Sequence, residues 1–356
     1  MEAIHVVGAG GIGCAVGYAL CASDMSVLFV DADGEKIEWG RNHGVVIDGL
    51  PPRPARFVAF DDWQPPADAV VLLCTKCYDN AAVLERLPES AVLIPIQNGF
   101  DPQLNARAHT WEGIASFVSE CLPHRTYTRI TRRGHLHLGA RQSSAGRHSE
   151  RPHCLRVLVE GRQPILGGRA RVRGVEWIEP YKYAKLMYNA AISPLASVAG
   201  IDNGQLLWLP RARALFFDLL RENHAILKRA GIELGKVGPL HPSTVAEILR
   251  RPWLAHALAW AFYPSLRGTY CSMSGDLPKG RTEIDNYNGH LLALAGDAPC
   301  PINRRVYSLI KRLERERLAP DLRLLDDLSE GETRTAASYR SFSFSGSSTN
   351  TQNVER

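Results

Sequence analysis

The sequence has no run of about twenty consecutive apolar residues, the length that a membrane-spanning helix requires. It also shows no signal peptide, because its first residues already have the pattern of a buried strand. Hydrophobic residues make up 45% and charged residues 22% of the 356 positions, as in soluble globular proteins. We therefore expect a cytoplasmic protein with no membrane partner, and a length that suits two domains.

Patterns typical of metal sites and disulfide frameworks are missing as well. The eight cysteines are scattered, and several, such as Cys14, stand in apolar settings that suit reduced thiols. Cys74 and Cys77 form one C-x-x-C pair, without a second pair at a zinc-site distance. His135 and His137 would share one face of a strand, but no third ligand is nearby. The sequence therefore predicts no metal site.

Acidic residues are scarce between residues 125 and 173, where twelve arginines stand against only Glu150 and Glu160. Such a basic stretch invites a nucleic-acid hypothesis. The arginines follow no spacing of a known binding module, however, and few aromatic residues stand among them. The net charge of the chain is only +5. We interpret this region as a solvated face and expect no nucleic-acid partner.

The chain opens with an apolar run that stops at a glycine-rich turn. The order is strand, then G-x-G-x-x-G, then helix-forming residues, which is typical of dinucleotide binding. The first glycine permits the turn, the second lets the backbone approach a pyrophosphate, and the third lets the helix lie close to the strand. Free N–H groups at the start of the helix would face the phosphates. The predicted cofactor contacts are Gly8, Gly10, Gly11, Ile12 and Gly13.

The next apolar run ends in Asp31, eighteen residues after Gly13. A carboxylate at this position can accept hydrogen bonds from the adenosine ribose hydroxyls. It would also repel a 2′-phosphate, so Asp31 favours NADH over NADPH. Strand and helix signals then alternate through residues 69–74 and 91–96, which predicts a mostly parallel sheet with helices on both faces. Lys76 and Asn98 follow these two strands, at the sheet edge where ligands bind, and we expect both to face the cofactor.

From residue 114 the pattern changes to two-residue alternation, which predicts antiparallel strands that extend the edge of the sheet. From Pro180 it becomes helical, beginning with a long helix over residues 181–198. Lys185, Asn189 and Ser193 stand at i, i+4 and i+8 of this helix and form a polar column that a small polar ligand would satisfy. We expect a Rossmann-type doubly wound domain at residues 1–178, an all-α domain at 179–320 and a disordered tail at 331–356.

Three blocks together resemble the ketopantoate reductase (2-dehydropantoate 2-reductase) family. They are GAGGIG at 8–13, KLMYNAAISPLASV with Asn203-Gly204 after it, and the segment from Ser272-Met273 through GRTEID to Asn288-Gly289. The resemblance implies a catalytic lysine at Lys185 and a substrate-positioning carboxylate at Glu283. It also implies the following residue roles: cleft-facing residues at Lys76 and Asn98, polar positions of the helical domain at Asn189 and Asn203, and a serine that contacts the substrate carboxylate at Ser272.

The resemblance implies NAD(P)H-dependent reduction of a small anionic 2-keto acid, with 2-dehydropantoate, a precursor in pantothenate biosynthesis, as the first candidate. For the cofactor, the resemblance favours NADPH whereas Asp31 favours NADH. One alternative keeps the fold but acts as an NADH-dependent D-2-hydroxyacid dehydrogenase on another branched 2-keto acid. A second alternative is a non-catalytic dinucleotide sensor, in which Lys185 would be dispensable. We expect a monomer or a homodimer.

Overall fold

The computed structural model describes residues 3–142, 150–161 and 166–329. Its centre is a five-stranded sheet in the order β4-β2-β1-β5-β6, in which every neighbouring pair is parallel. Strands β1 and β5 are almost wholly buried because helices cover both faces of the sheet. The strands of this sheet are β1 Ile4–Val7, β2 Val27–Asp31, β4 Arg56–Ala59, β5 Val70–Leu73 and β6 Val92–Pro95.

Short helices connect these strands, as a doubly wound sheet requires. The first of them, α1, packs closely because its glycines leave room for the strands. A Cβ atom on Gly17, for example, would lie 2.2 Å from the ring of Phe29 in β2. The helices of this N-terminal part are α1 Gly11–Cys21, α2 Gly34–His43, α3 Asn80–Arg86, α4 Pro102–Ala106 and α5 His153–Glu160.

The remaining strands form two separate three-stranded sheets, in the orders β11-β10-β7 and β3-β9-β8. We expected antiparallel strands that extend the main sheet, and two pairings, β7 with β10 and β8 with β9, are antiparallel. In the described ranges, a bridge between Ile96 and Gly113 links β7 to the parallel sheet. These strands are β3 Val46–Ile47, β7 Trp111–Ala115, β8 Val118–Cys121, β9 Tyr127–Arg132, β10 Gly134–Ala140 and β11 Ala170–Trp177.

The C-terminal part consists of helices packed around α6 and α8. The apolar residues of these helices form one continuous core. Pro180 lies in the first turn of α6, and Gly200 ends that helix in a left-handed conformation. A π-helical turn at Asp285–Gly289 precedes α12. The helices are α6 Glu179–Ala199, α7 Asn203–Trp208, α8 Pro210–Arg229, α9 Pro242–Leu249, α10 Pro252–Leu266, α11 Ser272–Asp276, α12 His290–Ala295, α13 Pro301–Glu316 and α14 Leu324–Ser329.

The expected fold class, a Rossmann-type sheet followed by an all-α part, is confirmed. Several contacts tie the parts together: Phe100 and Asn286, for example, exchange hydrogen bonds of 3.1 Å, and Lys182 of α6 binds Glu112 of β7. The domain boundaries at 178 and 320 stay predictions, and the tail at 331–356 lies outside the described residues. Across the three described ranges, no helix is both long and apolar enough to cross a bilayer.

Candidate active site

The glycine turn after β1 contains two positions where the backbone packs so closely that only glycine fits. Gly8 has a φ of +94°, and a Cβ atom there would lie 2.7 Å from the backbone nitrogen of Thr75. A Cβ atom on Gly13 would lie 1.9 Å from the carbonyl oxygen of Gly8. By contrast, no other described residue places a heavy atom within 4 Å of a Cβ on Gly10. The turn is therefore tight towards the sheet and open above Gly10, where a pyrophosphate would lie.

Gly10 precedes α1, and no side chain caps this helix. The first backbone N–H groups of Gly11 and Ile12 therefore remain available at the positive end of the helix dipole. This is the arrangement that binds a diphosphate. All five glycine-turn residues named from the sequence lie at this one point of the fold, at the carboxyl end of β1.

Asp31 ends β2 beside the glycine turn and already has three partners. One carboxylate oxygen accepts a hydrogen bond from the backbone N–H of Ala9 at 2.7 Å, and the other from that of Asp33 at 3.0 Å. The ammonium of Lys36 lies 3.2 Å from the first of these oxygens. Burial alone would lower the pKa of Lys36, but the Asp31 carboxylate raises it. The Asp31 side chain is therefore rigidly placed, with a charged lysine that we did not predict next to it.

Lys76 follows β5 and reaches two carboxylates of the helical part. Its ammonium lies 2.6 Å from the carboxylate of Asp276 and 3.0 Å from that of Glu283. Both acids are buried, and the lysine side chain is 30% exposed. Burial would lower the pKa of Lys76, but Glu283 and then Asp276 raise it above its ordinary value. We call Lys76, Asp276 and Glu283 the carboxylate cluster.

Lys185 is half-buried on α6 and lies in a different environment from Lys76. Burial lowers the pKa of Lys185 to about 8, with a smaller contribution from the Arg132 guanidinium. The cation that pairs with Glu283 is Lys76 and not Lys185. Within the described ranges no carboxylate forms an ion pair with Lys185. Its ammonium is therefore the less stabilised of the two cations.

A chain of side chains connects the carboxylate cluster to the polar column of α6. The Tyr287 hydroxyl donates to Glu283 at 3.1 Å, and the Asn189 amide lies beside the same hydroxyl. Burial, followed by the charge of Glu283, raises the pKa of Tyr287 well above its ordinary value. Tyr287 thus stays a neutral donor. Asn189 lies one helical turn after Lys185, so Lys185 and Glu283 belong to one polar region, although they do not touch.

The other predicted residues are placed less uniformly. Ser193 is buried, whereas Ser272 is exposed at the start of α11. The side-chain oxygens of Asn98 and Asn203 are buried, and neither has a hydrogen-bond partner among the described residues. Such unpaired acceptors are costly unless a ligand or a water satisfies them. The two asparagine oxygens are therefore available to a ligand with N–H or O–H donors.

Sequence reasoning missed three residues here: Lys36, Asp276 and Tyr287. Lys36 stands in the first turn of α2, five residues after Asp31, so its pairing with Asp31 could have been proposed from the sequence. Asp276 lies exactly two hundred residues after Lys76, and no local pattern connects them. Tyr287 stands four residues after Glu283, a spacing that suits contact on a helix.

The glycine turn before α1 and the acid at the end of β2 are typical of proteins that bind a dinucleotide. Two family models match the chain: Ketopantoate reductase PanE/ApbA over residues 4–144, and Ketopantoate reductase PanE/ApbA C terminal over residues 178–314. The chain belongs to the ketopantoate reductase family, as its resemblance led us to expect. Members of this family are NAD(P)-dependent oxidoreductases that act on CH–OH groups.

Similar proteins agree with this assignment. The chain is 22% identical over 319 residues to 2-dehydropantoate 2-reductase of Archaeoglobus fulgidus, covering 88% of this chain and 98% of the relative. It is 31% identical over 150 residues to the enzyme of that name from Pyrobaculum aerophilum, covering 41% of this chain and 48% of the relative.

Solved structures share the fold. D-mandelate dehydrogenase with NADH and anilino(oxo)acetate has a TM-score of 0.68 at 17% identity, covering 88% of this chain and 99% of that one. A ketopantoate reductase from Ralstonia eutropha JMP134 has a TM-score of 0.65 at 20% identity, covering 89% and 99%. The dimeric ketopantoate reductase of Staphylococcus aureus has a TM-score of 0.63 at 15% identity, covering 89% and 100%.

Proposed function

We propose that this chain reduces a small anionic 2-keto acid to the 2-hydroxy acid, with 2-dehydropantoate as the first candidate. The observation that carries the proposal is the half-buried Lys185, whose pKa is lowered to about 8 by burial. Lys185 stands on the same face of α6 as the polar residues Asn189 and Ser193. An amine with a pKa near the working pH is suited to donate a proton. The names of the relatives from Archaeoglobus fulgidus and Pyrobaculum aerophilum support the substrate.

The residues at the glycine turn fit a nicotinamide dinucleotide. The open space above Gly10 and the free N–H groups at the start of α1 suit its pyrophosphate, and Asp31 suits its adenosine ribose. We assign the contacts to Gly8, Gly10, Gly11, Ile12, Gly13 and Asp31, together with Lys76 and Asn98 on the nicotinamide side. When bound, the reduced nicotinamide supplies a hydride to the keto carbon.

Lys185 acts on the oxygen of that keto group. Negative charge develops on this oxygen as the carbon is reduced, and an ammonium group that donates to it stabilises the charge and delivers the proton. Because no carboxylate pairs with Lys185 in the described residues, its N–H donors are not engaged by a stronger acceptor. Water access is limited because the lysine is half-buried, which strengthens the interaction.

Glu283 positions the substrate through a hydrogen bond from a substrate hydroxyl. Its carboxylate is held in place by the ion pair with Lys76 and by the hydrogen bond from Tyr287. Polar residues on the helical side complete the site. Asn189 and Ser193 lie on α6 beside Lys185, and we assign substrate contacts to Asn189, Ser193, Asn203 and Ser272.

For the cofactor we propose NADH. Asp31 presents a carboxylate where a 2′-phosphate would lie, and its bonds to Ala9 and Asp33 prevent it from turning away. Lys36 neutralises part of this charge, so we expect a preference and not complete rejection of NADPH. D-mandelate dehydrogenase, solved with NADH, has a similar fold. This similarity and Asp31 favour a second candidate, an NADH-dependent D-2-hydroxyacid dehydrogenase that acts on another branched 2-keto acid.

The test is to measure nucleotide oxidation by the purified chain with a panel of 2-keto acids, using NADH and NADPH separately. The first candidate predicts the highest kcat/KM with 2-dehydropantoate, and the second predicts the highest kcat/KM with another branched 2-keto acid. Absence of turnover with the whole panel, despite dinucleotide binding, would contradict both candidates.

We further propose that the protein works in the cytoplasm as a monomer or homodimer.

A further inference from the structure

Two cysteines that the proposed reaction does not use lie under the glycine turn. Cys14 is the fourth residue of α1 and is fully buried, whereas Cys121 ends β8 and is half-buried. The Cys14 thiol donates to the carbonyl oxygen of Ala9 at 3.2 Å, and the Cys121 thiol donates to the same oxygen at 3.6 Å. Cys121 also lies 3.1 Å from the carbonyl oxygen of Arg125. The two sulfur atoms therefore converge on one peptide of the cofactor turn.

Both thiols lie against one carbonyl oxygen, that of Ala9, and the surroundings of Cys121 favour its ionisation. The Thr128 hydroxyl is fully buried beside both thiols, yet it has no hydrogen-bond partner among the described residues. It is thus free to donate to a thiolate. The Lys36 ammonium is close enough to stabilise that negative charge.

These contacts shift the pKa values of the two thiols in opposite directions. The hydrogen bond from Cys14 lowers the pKa of Cys121 to about 7, with Thr128 and Lys36 acting in the same direction against burial. The same bond, followed by burial, raises the pKa of Cys14 well above its ordinary value. A reachable thiolate next to a buried thiol is the arrangement of a reactive cysteine and its resolving cysteine.

We propose that Cys121 and Cys14 form a peroxide-sensitive thiol pair whose oxidation weakens dinucleotide binding at the adjacent glycine turn. The effect on binding rests on the proposed function, whereas the existence of the thiol pair does not.

The chemistry uses hydrogen peroxide as the oxidant. The Cys121 thiolate attacks one peroxide oxygen, the O–O bond breaks, and hydroxide leaves and is protonated to water, which gives a sulfenic acid on Cys121. The sulfur of Cys14 then attacks the sulfur of Cys121. The S–S bond forms, the S–O bond breaks, and the departing hydroxide takes the thiol proton of Cys14 as a second water. Two thiols are oxidised to a disulfide while one peroxide is reduced to two waters.

Disulfide formation would remove the S–H of Cys14 from the Ala9 carbonyl oxygen, and it would remove the S–H that Cys121 shares between the carbonyl oxygens of Ala9 and Arg125. That carbonyl shares its peptide unit with the N–H of Gly10, which lies in the phosphate-facing part of the turn. The neighbouring N–H of Ala9 holds Asp31 at 2.7 Å. Release of this peptide would therefore disturb both the phosphate and the ribose contacts. Loss of two neutral hydrogen bonds corresponds to a dissociation constant for NADH about tenfold higher.

The experiment treats the full chain with hydrogen peroxide, maps disulfides by mass spectrometry of unreduced peptides, and titrates NADH against the reduced and oxidised protein. We expect a Cys14–Cys121 disulfide, an approximately tenfold higher dissociation constant, and recovery after reduction with dithiothreitol. Cys154→Ala is the matched control, because Cys154 is buried on α5 outside the pair. It should respond to peroxide as the unmodified chain does.

Two double variants separate the loss of donors from the chemistry of oxidation. Cys14→Ser with Cys121→Ser keeps both donors, so NADH affinity should stay within about twofold of the reduced chain and should not respond to peroxide. Cys14→Ala with Cys121→Ala removes both donors, so its NADH affinity should be about tenfold weaker without any peroxide.

Thr128→Val removes the hydroxyl that can donate to the Cys121 thiolate, so it should slow the reaction of Cys121 with peroxide several-fold.

Failure to form the Cys14–Cys121 disulfide under excess peroxide would overturn the thiol pair. A disulfide that leaves NADH affinity unchanged would overturn its control of binding while the proposed function stands. If the reduced chain binds neither NADH nor NADPH, the proposed function fails, and the control of binding fails with it. Because disulfide mapping requires no turnover, the two failures are distinguishable.

Discussion

The two halves of the candidate site are built from different materials. The cofactor half is mostly backbone: a glycine turn, the start of α1 and one acid, all within residues 8–31. The catalytic half is made of side chains that meet from distant segments, such as Lys76, Asp276 and Glu283. Backbone geometry follows from local sequence, whereas a side-chain cluster requires the tertiary fold. The cofactor half should therefore respond to steric changes, and the catalytic half to changes of charge.

The largest effect should come from Lys185→Ala. Loss of the group that protonates the developing alkoxide should lower kcat by 10²-fold or more, because general acid catalysis contributes about that much. NADH affinity should stay within about twofold. The measurement is steady-state kinetics alongside nucleotide titration.

The control for this variant is Lys228→Ala, an exposed lysine in the last turn of α8. It should leave kcat unchanged. If Lys185→Ala retains turnover within about twofold, another residue is the acid or the chain is a dinucleotide sensor.

Glu283→Gln should lower kcat/KM about thirtyfold, since it removes a charged hydrogen-bond acceptor while it keeps the size of the side chain. Lys76 would keep Asp276 as its partner at 2.6 Å, so the fold should be preserved. The neighbouring Asp285→Asn is the control, because Asp285 contacts Tyr307 and Lys311 on the surface. Equal losses in both variants would argue against a specific role for Glu283.

Gly13→Ala should lower the free energy of unfolding by about 2 kcal/mol, because a Cβ atom 1.9 Å from the Gly8 carbonyl oxygen forces the helix away from the strand. Gly34→Ala, at the start of α2, meets no described atom within 4 Å and should cost little. Urea denaturation of both variants tests the difference. Equal stabilities would show that the close contact at Gly13 is not needed.

Asp31→Asn should shift the ratio of NADPH to NADH affinity towards NADPH by about tenfold, as expected for removing one like charge close to the 2′-phosphate. Lys36 would then be free to pair with that phosphate. Asp24→Asn, in the exposed turn before β2, is the control. An unchanged ratio would mean that Asp31 does not set the cofactor preference.

These comparisons also explain how far the sequence could predict the structure. The glycine turn and Asp31 were predictable because strand, turn and helix follow one another directly in the chain. The column of Lys185, Asn189 and Ser193 was predictable from helical spacing, and α6 extends over all three. The pairing of Lys76 with Asp276 was not, since the two residues are joined only by the packing of the parts.

Two secondary-structure elements show the same limit. Strand β11, Ala170–Trp177, was not predicted, because its charged residues hide the alternation and it forms only by pairing with β10. The sequence pattern around Cys154 does not distinguish a helix from a strand, and the structure has helix α5 there. Its apolar residues pack into the core beneath α1, a contact that short-range patterns do not contain.

The most direct test of Lys185 as the proton donor is the pH dependence of kcat/KM for 2-keto acid reduction. Burial lowers the pKa of Lys185 to about 8, and only its protonated form can donate to the keto oxygen. Below pH 8 the Lys185 amine is charged, so we expect kcat/KM to be constant in that range. Above pH 8 we expect kcat/KM to fall by about tenfold per pH unit. A profile that stays flat to pH 10 would contradict Lys185 as the proton donor.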